Sequence, residues 1–166
     1  KANATGNINL GPTASPKPAL QRFEPLPTLT ITDATGSRQK LHLAPGEVDL
    51  SAWEMPPVPP PGAFDARFES NRMAERFPGS DRSGVELRTR IQGSIPPVTV
   101  TFASGDGALS DRMDHHSYVL VEYRDGAPFR TSPFVPGSSV LLSDAVEHSL
   151  GLRSAASSGL PEIFSL

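Results

Sequence analysis

Residues 53–68 read WEMPPVPPPGAFDARF, and the two halves of that stretch obey different backbone rules. In the first, 55–61, five of seven residues are proline. Each proline holds φ near about −65° and lacks a backbone donor, which bars the segment from a helix interior and from a central strand. The expected form is a stiff, polyproline-like strap. Gly62 then frees the chain. From Ala63 to Phe68 large apolar and polar residues alternate, the period-two pattern of a half-buried strand. A rigid strap feeding straight into a strand suits a chain that crosses from one sheet of a sandwich to the other. On that reading Phe64 and Phe68 are buried, and the chain from Pro56 to Pro61 runs extended outside any sheet interior.

The flanks of the strap carry the same alternation. Thr28-Leu29-Thr30-Ile31-Thr32 is β-branched and predicts a strand with Leu29 and Ile31 inward. Asp33-Ala34-Thr35-Gly36-Ser37 predicts the turn of a hairpin, whose second strand, 39–43, turns Leu41 and Leu43 inward. A second turn at 44–47 leads to a short strand or bridge at Val48-Asp49-Leu50. Beyond the strap, Met73, Ala74 and Phe77 have i, i+1, i+4 spacing and predict a single helical turn, stopped by Pro78-Gly79. Residues 85–91 return to alternation, with Val85, Leu87, Thr89 and Ile91 on one face and Glu86, Arg88 and Arg90 on the other. Residues 98–102 place Val98, Val100 and Phe102 inward. The near-continuous apolar run 118–123 predicts an interior strand covered on both faces. Asp125-Gly126 marks a hairpin turn, and Pro128 and Pro133 confine the return strand to a sheet edge. Val140-Leu141-Leu142 is a short strand. Residues 144–152 fit a closing strand, with a short capped helix as the competing form.

Eighteen prolines and fourteen glycines make up about a fifth of the 166 residues, against an ordinary ~12%. Long helices do not fit between them; eight or nine short strands joined by turns do. The expected fold is all-β, an antiparallel Ig-like or fibronectin-III-like β-sandwich with an extended proline-rich N-terminal arm. Its divisions are the arm or linker at 1–27, the sandwich at 28–153 and a C-terminal linker at 154–166. The net charge of −3, with both signs interspersed, gives no basic field for nucleic acid or anionic lipid. No apolar run reaches the roughly 18 residues of a membrane-spanning helix. Cysteine is absent, which removes disulfides and thiolate chemistry. The chain starts Lys1-Ala2-Asn3, without an initiator methionine, and is expected to be processed or partial.

Two stretches resemble a known setting. The ending, Gly159-Leu160-Pro161-Glu162-Ile163-Phe164-Ser165-Leu166, resembles the linker just upstream of the sorting domain in type IX secretion substrates of Bacteroidota and related phyla. Residues 54–68, together with 29–36 before them, are similar to a segment of β-rich C-terminal regions in such secreted proteins. The resemblance implies an exported β-domain, extracellular or on the outer cell surface, next to a sorting domain. It carries over no catalytic residue.

Chemistry-bearing clusters are few. Asp111-Arg112-Met113-Asp114-His115-His116 combines carboxylates and imidazoles. Adjacent histidines on an extended chain point to opposite sides, so a solvated loop is the expected form, and not a metal site. Ser104-Gly105-Asp106-Gly107 with Asp111 lacks the alternating acidic ligands of a calcium loop. Ser143, Asp144 and His148 hold the residue types of a hydrolytic triad without the strand–turn–helix setting of a nucleophile elbow. No catalytic, cofactor or metal residues are therefore assigned. Trp53, Tyr118 and Tyr123 would serve a carbohydrate platform if they lay together, whereas a lone tryptophan beside a proline strap is expected to pack against it. Asn3-Ala4-Thr5 fits a glycosylation acceptor.

The expected function is a non-catalytic structural or interaction module, such as a subunit of an extracellular filament or surface complex, whose partners are other protein subunits engaged through residues 1–27. The alternative is a carbohydrate-binding accessory domain of a secreted enzyme.

Overall fold

The computed structural model describes residues 26–44, 49–77, 86–105, 117–142 and 148–155. Among these, ten strands form two five-stranded sheets. They are β1 (Thr28–Thr32), β2 (Arg38–Ala44), β3 (Asp65–Phe68), β4 (Ala74–Arg76), β5 (Glu86–Gln92), β6 (Val98–Ala103), β7 (Tyr118–Arg124), β8 (Ala127–Pro133), β9 (Ser139–Leu142) and β10 (His148–Ser154). Sheet one has the order β4-β2-β1-β6-β9, and sheet two the order β3-β5-β10-β7-β8. The molecule is an all-β sandwich, as expected.

Alternation fixes the inner faces. Leu29, Ile31, Leu41, Leu43, Val98, Val100, Phe102 and Leu142 of sheet one bury against Ala66, Phe68, Leu87, Ile91, Leu120, Leu150 and Leu152 of sheet two. Phe102 stacks on Phe134 with ring centroids 5.3 Å apart, and Tyr118 meets Phe102 and Phe77 edge-on at 5.8 and 5.0 Å. Offset and T-shaped aromatic pairs are the arrangements that ring quadrupoles favour. The strap does connect the sheets: β2 ends in sheet one and β3 begins in sheet two. The Tyr118–Arg124 strand is interior, and the proline-bounded β8 is an edge, both as read from sequence.

Four expectations need correction. Residues 73–77 make no helical turn; Ala74–Arg76 is a strand. It runs parallel to β2, pairing His42 with Ala74 and Ala44 with Arg76, so the sandwich is not antiparallel throughout. A turn of helix there would leave its backbone groups facing a sheet edge that needs partners. Asp49 and Leu50 form no strand, and lead instead into a 3-10 turn, Ser51–Trp53; Val48 lies outside the described residues. The closing segment, by contrast, is the expected strand, with β10 from His148 central in sheet two. Finally, β3 is not half-buried. All four of its residues are buried, Asp65 and Arg67 included, while Phe64 just before it is only partly so.

Close backbone approach ties the strap to the neighbouring turn. Gly93, at the end of β5, has φ +60°, and a Cβ there would sit 2.2 Å from the Ala63 carbonyl oxygen. Gly36 in the first hairpin has φ +86° but open space around it. Both positions penalise a side chain through φ; only Gly93 adds a clash with main chain. Gly36→Ala is expected to cost about 1–2 kcal/mol, and Gly93→Ala a further ~1–2 kcal/mol or more, read as the difference between their urea-unfolding midpoints at unchanged m-value.

Candidate functional site

A buried and heavily bonded polar cluster lies where the strap returns over β3. Arg67 is 2 % exposed and Asp65 8 % exposed. Their side chains stand on the outer face of sheet two, since Ala66 and Phe68 take the inner one. The guanidinium grips the carboxylate with two bonds, Nε to Oδ2 at 2.6 Å and Nη2 to Oδ1 at 2.7 Å. Its Nη1 donates to the Pro56 carbonyl at 2.7 Å and to the Asn71 side-chain oxygen. Asn71 sits at φ +64° and donates its side-chain amide to the Met55 carbonyl. The Met55 N–H in turn donates to the Asn71 carbonyl at 3.0 Å, beside a bridge between Glu54 and Arg72. Further along, Gln92 Nε2 donates to the Pro59 carbonyl at 3.1 Å.

Chemistry explains this convergence. A proline run has carbonyl acceptors and no donors of its own. Side chains from β3, β5 and the turn after β3 supply the missing donors. The forked guanidinium can hold a carboxylate and two further oxygens at once. The product is a clasp that presents no free nucleophile or base.

A second cluster occupies the outer face further along sheet two. The Tyr123 hydroxyl donates to the Glu86 carboxylate, whose oxygens lie 2.7 and 2.8 Å away. Arg88 pairs with Glu86 and lays its guanidinium 3.5 Å from the Tyr123 ring centroid. Gly151 of β10 makes the room: a Cβ there would fall 2.3 Å from the Glu86 carboxyl carbon. Burial, then the bond to Glu86, raises the Tyr123 phenol above its ordinary value. The third cluster joins the two sheets. Arg130 of β8 pairs with the buried Glu122 of β7 and donates to the Leu141 carbonyl of β9 at 2.8 Å.

The first hairpin carries its own polar centre. Asp33 Oδ1 accepts from the Thr35 N–H at 2.9 Å, the Thr35 hydroxyl at 2.7 Å and the Ser37 N–H at 3.0 Å. Its Oδ2 accepts from the Ile95 N–H at 3.2 Å, which ties this turn to the one between β5 and β6. The Thr35 hydroxyl bond, seconded by the backbone donors of Ile95, Thr35 and Ser37, holds the Asp33 carboxyl below its ordinary value against a smaller opposing effect of burial. Across the molecule, His42 lies with its ring 5.0 Å from that of Trp53. Burial, then the charge of Lys40, lowers the His42 imidazole.

These placements separate the aromatic residues that a carbohydrate platform would need. Tyr118 is 1 % exposed in the core. Tyr123 lies under Arg88 on the outer face of sheet two, and half-buried Trp53 packs with Leu26, Ala44, Leu50 and Ala74 beside sheet one. Residues 111–116, Asp106, Gly107, Ser143 and Asp144 lie outside the described residues, as do Asn3 and Thr5; of His148 only the backbone is described. Among the described residues no three His, Asp or Glu side chains gather where a metal ion could be held. Sequence reasoning missed the Asp65–Arg67 clasp. The signal that could have found it is a run of donorless carbonyls adjoining Asp-x-Arg.

The class that fold and clasp define is a two-sheet β-sandwich whose crossover strap is bonded onto its own outer face. Comparison of the chain with family models, with curated proteins and with solved structures returned no match in any of the three.

Two outcomes follow from the clasp and the titratable groups. Removing one partner of a buried ion pair strands the other, so Arg67→Met is expected to cost about 3–5 kcal/mol, while the double variant Asp65→Val/Arg67→Met costs less than the single one. Urea unfolding followed by Trp53 emission measures both. The pH profile has two acid-side steps, an upper one from His42 and a lower one shared by Asp33 and Asp49, whose carboxyl the Ser51 backbone N–H also holds below its ordinary value. Both His42 and Asp33 have folded values below their ordinary ones, so the unfolded chain binds protons first and stability falls on acidification. The His42 contribution is complete above about pH 6.5 and the Asp33 contribution above about pH 4; each is lost as pH falls through the folded value. His42→Gln is expected to flatten the upper step of a melting-temperature profile, and Asp33→Asn to reduce the lower one.

Proposed function

We propose that the chain is a non-catalytic interaction module of an extracellular or outer-surface assembly, with its N-terminal arm, 1–27, as the segment that engages a neighbouring subunit. The observation that carries this reading is how the sandwich uses its polar side chains. Asp33, Asp65, Arg67, Glu86, Glu122 and Arg130 are each engaged in bonds that hold turns, strap or sheets together. Side chains committed in this way serve shape, and a shape-holding domain presents faces and edges to partners. The likeness of 54–68 and 159–166 to segments of type IX secretion substrates supports export and an Ig-like or fibronectin-III-like role as spacer or subunit. No helix of the described residues is long and apolar enough to cross a membrane.

Arm deletion tests the reading. Affinity isolation of the intact chain from its native surface fraction is expected to bring down stoichiometric partner subunits. A chain lacking residues 1–25 is expected to fold with the same melting temperature and to lose them. Retention of the same partners would remove the arm from the reading.

A further inference from the structure

Sheet edges are templates for pairing with another chain, and folded proteins blunt them with proline, charge, short length or cover. The four sheet edges among the described residues differ in this respect. The edge strand β3 is entirely buried beneath the bonded strap. Its counterpart β8 carries Pro128, Pro133 and Arg130, and its pairing with β7 is interrupted by a bulge at Glu122/Tyr123. Only three residues long, β4 includes Glu75 and Arg76. The remaining edge, β9, reads Ser139-Val140-Leu141-Leu142, with neither proline nor charge. Leu141 is 56 % exposed and Val135, on the approach to β9, 46 % exposed.

The backbone of β9 faces outward at the right residues. Ser138 turns its carbonyl to the Phe102 N–H of β6. Groups along an antiparallel strand alternate sides, so Ser139 and Leu141 direct theirs to the open edge. The Leu141 carbonyl is there, accepting from Arg130 of the opposite sheet, and a carbonyl retains a second acceptor site.

We infer that β9 is a pairing edge and that its occupant is β9 of a second copy of this chain, joined antiparallel about a two-fold axis to continue sheet one across both molecules. Charge selects this partner. In an isologous contact every residue meets its own kind, so a charged edge repels itself. From 131 to 142 the chain carries no charged side chain, and Arg130, the cation bonded at the Leu141 carbonyl, is paired with Glu122 of its own molecule, whereas β4 and β8 each present charges of their own. Self-pairing also brings exposed Leu141 beside its mate near the axis. A contact of one short strand is small, so association belongs to the transient class, expected within about 10 µM to 1 mM.

This inference deepens the interaction-module reading and rests on it, yet the two fail separately, because partner capture by the arm does not depend on β9. Sedimentation velocity of the full chain is expected to show a reversible monomer–dimer equilibrium over that concentration range. Leu141→Lys and Leu141→Glu, at a position already exposed, are each expected to weaken it at least ten-fold through like-charge contact, and an equimolar mixture of the two to restore it. A wild-type chain that stays monomeric overturns the inference. So do single variants that associate as wild type does, a mixture that stays monomeric, or a dimer that survives both charges and disappears with residues 1–25. Hydrogen exchange keeps the inference testable should the variants misfold: Ser139 and Leu141 amides are expected to gain protection as wild-type concentration rises, and exchange independent of concentration overturns it.

Discussion

The buried bond between Asp65 and Arg67 sets the terms for everything on its side of the sandwich. An ion pair taken out of water is stable only when its geometry is good and its remaining donors find acceptors. Arg67 meets both conditions, but with acceptors from the Pro56 carbonyl and Asn71. The strap is thereby needed to bury the arginine, and the arginine is needed to hold the strap. Neither half of the 53–68 stretch has a stable placement without the other. The prolines restrict the unfolded strap as well, so the entropy lost in docking it is smaller than for an ordinary loop.

This mutual dependence spreads outward through short links. Gly93 lets the β5–β6 turn come up against Ala63 at the strap's end. That turn then offers Ile95, whose N–H reaches Asp33 while its carbonyl accepts from Ala34. The first hairpin of sheet one is in this way anchored to a turn that leaves sheet two. On the opposite side Arg130 performs the same service between β8 and β9. The sandwich is stitched at both flanks by side chain to main chain bonds, with the aromatic cluster of Phe102, Phe134 and Tyr118 between them.

Much of this fold was legible where period-two alternation is long enough to choose a face. Residues 28–32, 39–43, 86–91 and 98–102 alternate an outward with an inward set, the inward one mostly apolar, and each is a strand in the expected register with the core. The prolines of β8 placed it on an edge for a sound reason, the missing donor. Three residues could not announce β4: Met73, Ala74 and Phe77 mimic a helical repeat, and what decided the matter was an open main-chain edge on β2, far away in sequence. The clasp escaped for a related reason. Alternation assigns Asp65 and Arg67 to solvent, and nothing local reveals that the preceding strap returns to cover them. Accounting for hydrogen-bond partners would have exposed the gap, since a strap of five prolines needs donors from somewhere.

The strap is therefore a cover as much as a crossover, and the distinction bears on how the molecule meets others. A plain crossover would leave β3 an open edge, ready to pair with any extended chain. Bonded as it is, the strap covers the outer face of β3 while the turn after β3 takes up the edge groups of Phe68, at the cost of fixing a long proline segment on the surface. β8 has its prolines and β4 its brevity, so three of the four edges carry a device against pairing. A fold that lacked such devices everywhere would be adhesive without selectivity; one that used them everywhere would present no strand at all. Blunting three edges leaves β9 as the exception, where the side chains of Ser139, Val140 and Leu141 carry no charge to repel a second copy.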